Sequence, residues 1–364
     1  MSQAPPSEVT SDDVRSAVQA GILTEAQATL MISHSQSRLG YREAMVKDDE
    51  PFEFFKGFAE IFLTIGLGLL TGGLVGLVTL FVSLTWGSGL GLAVCLALAR
   101  YYTLVRRMSL PSIALAIGTA ASGSTFLASL LISAQVRDTI PFLIISGLGM
   151  LLMLGYFRVF KLPFAMFLFG LFSMAFVYGI AVDGAELFYL ASHFPEALFD
   201  LGQDSNVALA SLGFGLAMMA AGLWFDTQDP HRISRHAVTG FWLHILAAPA
   251  LVNTGAMSLY NLGGTQGYLL TALLLCCVTL FAIVIDRRSF LTAGLFYFAA
   301  VIVWAATASF GDQIGGFMVV AILGGFFTTV GTWWVQIRAS VMRSLPDFPG
   351  KSRLPPYVSG FGSH

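Results

Sequence analysis

Threaded alternately through a bilayer, the apolar segments of this chain leave eighteen of its nineteen Lys and Arg residues on one side. Cytoplasmic loops retain Lys and Arg, so a bias of this size sets orientation as well as class. A crossing helix needs about twenty mostly apolar residues. Ten segments meet that length: 58–84, 88–107, 111–134, 139–157, 162–182, 205–224, 238–259, 266–285, 289–310 and 315–337. The expected fold is therefore all-α: a polytopic helical membrane bundle of ten spans with both termini in the cytoplasm.

The charges supply the argument for that alternation. Arg106 and Arg107, Arg158 and Lys161, Arg232 and Arg235, Arg287 and Arg288, then Arg338, Arg343, Lys351 and Arg353 all fall at cytoplasmic ends. Only Arg137 falls outside, where the loops carry Asp138, Asp183, Glu186, Glu196, Asp200, Asp204 and Asp312 instead. One misplaced span would spoil the pattern for every later loop. Composition agrees: 56% of residues are hydrophobic and 11% charged, against about 25% charged in soluble domains. Basic residues scattered through short turns form no dense face, which argues against nucleic acid as a partner. Cys95, Cys276 and Cys277 lie inside apolar segments and read as small core residues, with no disulfide framework or zinc spacing.

Residues 1–50 precede the first span and are polar, so the run starting near Phe58 is expected to be an uncleaved first span. Within them Ser11 or Thr10 can cap a helix that Gly21 ends, and Thr24 with Gln27 has capping-box spacing for a second helix. This predicts a small cytoplasmic helical hairpin, resting on the membrane or docking a protein partner, followed by an acidic linker. Residues 51–344 form the bundle, and the Pro- and Gly-rich tail 345–364 is expected to be extended and flexible. Three basic turns, at 106–111, 157–163 and 286–291, resemble one another and suggest consecutive helical hairpins.

Ionisable groups inside spans are costly and are the default functional candidates. Arg100 lies in the inner part of the second span, either snorkelling to the headgroups or paired with Glu60 on the neighbouring helix. His244 lies in the inner half of the seventh span, on a face with Gly240, Ala248, Leu251 and Gly255. That face favours a hydrogen-bonded packing histidine over a proton relay. The outer loop 183–204 carries five carboxylates and no Lys or Arg, with His193 and Glu196 three apart. It reads as an interfacial, solvated acidic face, with a cation-attracting vestibule as the sharper alternative. Gly68, Gly72 and Gly76 suggest close helix packing. No phosphate loop, zinc helix or nucleophile elbow is present, and no catalytic residue, cofactor or metal site is assigned.

The stretch Val18-Gln19-Ala20-Gly21-Ile22-Leu23-Thr24-Glu25-Ala26-Gln27-Ala28, followed by many spans, resembles the bacterial predicted-membrane-protein family called domain of unknown function 2157. The stretch from Asp229 to His236, running into Phe241-Trp242-Leu243-His244, is similar to segments of uncharacterised bacterial inner-membrane proteins. The resemblance implies a bacterial inner-membrane setting and supplies no activity. A non-catalytic membrane component (sensor, scaffold or assembly factor) is the leading expectation. A small-solute transporter is second and a lipid-modifying enzyme third.

Overall fold

The computed structural model describes residues 11–24, 27–28, 30–32, 58–136, 140–182, 196–202, 205–230, 232, 234–310, 312–355 and 357. All regular structure in them is helical. Helix α1 is Ser11–Gln19. It ends as the glycine predicts: Gly21 has φ +71°, and Ile22 N–H reaches Ala17 O while Gly21 N–H reaches Val18 O. Thr24 and Gln27 then make the reciprocal bonds of a capping box, Thr24 N–H to Gln27 Oε1 at 3.0 Å and Gln27 N–H to Thr24 Oγ1 at 3.2 Å.

The bundle follows as α2 (Phe58–Phe81), α3 (Leu84–Ala99) with a π-helical continuation Arg100–Val105, α4 (Ser109–Ser133), α5 (Ile140–Phe160) and α6 (Phe164–Ala181). After the short α7 (Glu196–Phe199) come α8 (Ser205–Asp226), α9 (Arg235–Tyr260) and α10 (Gly264–Ile285). The last helices are α11 (Ser289–Ala293), α12 (Leu295–Phe310), α13 (Asp312–Thr332) and α14 (Trp334–Ser344). Among the described residues eight helices are long and apolar enough to cross a membrane: α2, α3 with its continuation, α4, α5, α6, α8, α9 and α10.

Several boundaries differ from expectation. The first turn lies at Val82 and Ser83, not 84–88, because Ser83 Oγ accepts the Trp86 N–H and caps α3 at once. The ninth segment breaks at Gly294 into α11 and α12. The tenth starts at Asp312 and ends at Thr332, and the expected last turn belongs to the separate α14. Nor is the near part of the tail extended: Lys351–Arg353 forms a 3-10 turn, and Arg338 Nη2 donates to Pro355 O at 2.6 Å.

Two apolar cores organise the bundle. One gathers Cys95, Leu115, Met153, Tyr156 and Phe164 from α3 to α6, and the other gathers Phe214, Leu243, Ala247, Phe290 and Trp334 from α8, α9, α11 and α14. Trp242 joins them, packing edge-on against Phe164 at 4.9 Å between centroids. Cys276 and Cys277 are exposed on α10 rather than in a core. Among the described residues Gly68, Gly72 and Gly76 meet no neighbouring element: nothing outside their own helix backbone lies within 4 Å of where their Cβ atoms would be. The glycines that do admit a close neighbour lie elsewhere, and two of them frame the site described next.

Candidate functional site: a buried ion-pair network

At one end of the bundle the last residue of one apolar helix, a residue just past a second and a side chain inside a third meet. Asp226 closes α8, Arg287 follows α10, and His244 comes from α9. Asp226 Oδ2 accepts from His244 Nε2 at 2.9 Å and from Arg287 Nε at 3.2 Å, and its Oδ1 accepts from Arg287 Nη2. Arg287 Nη2 also donates to Ala237 O at 3.0 Å, tying the turn after α10 to the first turn of α9. His244 and Arg287 are fully buried. Such a carboxylate is tolerable in an apolar bundle only because a guanidinium clasps it in two places.

Glycines make the approach possible. A Cβ on Gly240 would sit 2.2 Å from Asp226 Oδ1, and one on Gly222 would sit 2.8 Å from His244 Cε1. With Nε2 bonded to Asp226, the His244 ring turns Nδ1 away from the carboxylate. Among the described residues Nδ1 has no partner, and neither has Arg287 Nη1.

A second carboxylate sits beside the first. Asp286 caps α10 in the left-handed conformation, φ +59°. Its Oδ2 lies 3.1 Å from Arg232 Nη1, and its Oδ1 accepts from Trp334 Nε1 at 2.6 Å and lies 3.8 Å from Arg338 Nε. Burial pushes the Asp286 carboxyl up. The cations Arg232, Arg338 and Arg287 and the Trp334 indole outweigh it and hold the carboxyl below the usual carboxylate range. Asp229 completes the group by accepting from Ser234 N–H at 2.7 Å and Ser234 Oγ at 2.9 Å, which props the serine that caps α9. Three aspartates thus balance three arginines at one end of α8, α9, α10 and α14, with His244 bonded to one of them.

The other candidates separate. Glu60 is buried, but its partner is not Arg100: Oε1 accepts from Ser109 N–H at 3.3 Å and Oε2 from Leu110 N–H at 3.1 Å. The open N–H groups and positive end of α4 satisfy the carboxylate, so α2 is pinned to α4. Arg100 faces outward, and no ion pair joins it to Glu60. His193 lies outside the described residues, and Glu196 opens α7. Asp200 is buried rather than solvated, accepting from Gly202 N–H at 2.9 Å and from Asn261 Nδ2 at 2.8 Å. Among the described residues no group of three His, Cys, Asp or Glu side chains could hold a metal ion.

His244 was found from the sequence as a polar residue on a small-residue face, and Gly240 on that face does make the close approach. Its partners were missed. Arg232, Arg287 and Arg338 read as orientation signals, Asp286 reads as the start of a basic turn, and Asp226 carries no reading. The available signal was acidic residues at the basic ends of spans, where orientation requires none. No protein-family model matches the chain, and comparisons with curated proteins and with solved structures return no match.

Proposed function

We propose that this protein is a non-catalytic component of the bacterial inner membrane, acting as a sensor, scaffold or assembly factor, with ten spans and both termini in the cytoplasm. The supporting observation is the closure of the charge network. The carboxylates of Asp226 and Asp286 are engaged by arginines and an indole of the same chain, so they clamp α8, α9, α10 and α14 together. A transport cycle needs charged groups that exchange partners, whereas these hold helix ends in one arrangement. The bacterial setting rests on the resemblance of residues 18–28, and the ten-span count on the charge alternation. Residues 1–50 are the proposed docking segment for a protein partner.

A small-solute transporter is the second reading, and it draws on the unpartnered His244 Nδ1 and Arg287 Nη1. The lipid-modifying reading leaned on the outer acidic loop, whose described carboxylate Asp200 is taken up in hydrogen bonds to the fold.

The test compares two variants for rescue of a deletion strain. A component losing residues 1–50 keeps a folded bundle but loses its co-purifying partner and its function, while His244→Ala loses thermal stability alone. The reverse pair, a functional truncation beside an inactive and stable His244→Ala, overturns the component reading. Solute accumulation in the deletion strain would then identify the transported class.

A further inference from the structure

The two halves of the bundle treat their cytoplasmic arginines differently. In the second half three of them, Arg232, Arg287 and Arg338, are buried against aspartates, while Arg343 is exposed. In the first half Arg100, Arg106, Arg107, Arg158 and Lys161 are all exposed, and the acidic side chain described at that end, Glu60, is buried under α4.

Arg100 is the informative member. It begins the π-helical segment, about 8 Å inside the end of its span at ~1.5 Å per residue. Its exposed neighbours Ala97, Tyr101 and Leu104 make this flank bilayer-facing. Among the described residues no carboxylate pairs with it, and a guanidinium at that depth is costly unless its stem reaches the interface and finds an anion there. Beside it Tyr101 presents a hydroxyl at the same rim, and that oxygen accepts from Arg106 Nε at 3.0 Å, with the guanidinium 5.7 Å from the ring centroid. The ring therefore holds Arg106 on the flank that carries Arg100. The π-helical segment packs on α5, whose last turn carries Arg158, with Lys161 just beyond.

We propose that Arg100, Tyr101 and Arg106, flanked by Arg158 and Lys161, form a binding site for the phosphate of anionic phospholipid headgroups. The inference rests on the membrane-spanning reading above. Guanidinium forks match phosphate oxygens, and basic residues at a headgroup surface attract anionic lipid. In the second half Arg232, Arg287 and Arg338 are taken up by aspartates and are not open to a headgroup.

The experiment reconstitutes the full chain in nanodiscs of phosphatidylcholine with and without phosphatidylglycerol, and counts lipid retained on the ejected protein by native mass spectrometry. Wild type is expected to retain phosphatidylglycerol over phosphatidylcholine. Arg100→Gln and Arg106→Gln should each weaken that retention about fivefold, and Arg100→Lys should restore most of it. Melting in phosphatidylcholine alone checks that the variants are folded. Equal retention of the two lipids, or retention unchanged in the Arg100→Gln/Arg106→Gln double variant, overturns the inference while leaving the membrane reading intact. Displacement by millimolar inorganic phosphate overturns it in favour of a soluble anion. Failure of the wild type to enter nanodiscs of either composition overturns the membrane reading itself, and this inference with it.

Discussion

Asp226 and Arg287, sixty-one residues apart, face each other across the ends of α8 and α10 and share two hydrogen bonds in a region closed to solvent. His244 donates to the same carboxylate from α9, so one aspartate joins three helices. Breaking such a pair from one side leaves an uncompensated buried charge. Arg287→Gln and Asp226→Asn are each expected to cost about 3–5 kcal/mol. Replacing both with apolar residues of similar volume should recover much of that loss. Detergent melting of the two single variants and the double gives the coupling, and additive losses would mean that the pair is not what holds the helices.

Glycine substitutions separate crowded faces from open ones. Gly240→Ala places a methyl group against Asp226, and Gly222→Ala places one against the His244 ring. Each should cost about 1–3 kcal/mol, because the neighbour must leave its hydrogen-bonded position. Gly72→Ala on α2 meets no neighbouring element among the described residues and should be neutral or stabilising by up to ~1 kcal/mol, the helix propensity difference. The same melting series checks all three.

Acid should loosen the junction of α10 and α14. The Asp286 carboxyl is held below its ordinary value in the folded protein, so the unfolded chain takes up the proton first as pH falls. The stability it contributes is fully present above about pH 4 and is lost as the pH falls through the lower folded value. Melting temperature against pH should therefore be flat near neutrality and fall in acid. Asp286→Asn should be less stable at pH 7 and should show a shallower acid limb. A parallel limb in that variant would place the effect on another carboxylate.

Glu60 acts on α4 rather than on Arg100. Glu60→Gln keeps an acceptor but loses the charge at the helix end, and should cost about 0.5–2 kcal/mol. In a double-mutant cycle with Arg100→Gln the effects should add, since no contact joins the two side chains. A coupling above about 0.5 kcal/mol would contradict the observed geometry.

Orientation follows from the loops. Reporter fusions after Arg107, Lys161, Arg235 and Arg288 should signal cytoplasm, and a fusion at Asp200 the opposite side. A cytoplasmic signal at Asp200 would remove the basis for the ten-span arrangement.

Helical class, the approximate limits of the long apolar segments and the cap at Thr24 and Gln27 were legible because each depends on neighbours a few residues apart. Hydropathy sums along one segment, and a capping box closes within four positions. Even there the breaks at Ser83, Gly294 and Trp333 moved, because a single cap or turn residue decides them locally and hydropathy is blind to it. The site lay beyond that range. Arg232 finds Asp286 from fifty-four residues away, and Trp334 finds it from forty-eight. Glu60 reaches the N–H groups of α4 from forty-nine and fifty. Charge counting puts the arginines at one end of the bundle. It does not say which helix ends stand side by side, and only that adjacency turns an orientation signal into a buried ion pair. Tertiary packing thus left Arg232, Arg287 and Arg338 enclosed against aspartates and Arg100, Arg106, Arg107 and Arg158 facing outward, although both sets have the same residue type and fall near the ends of apolar runs.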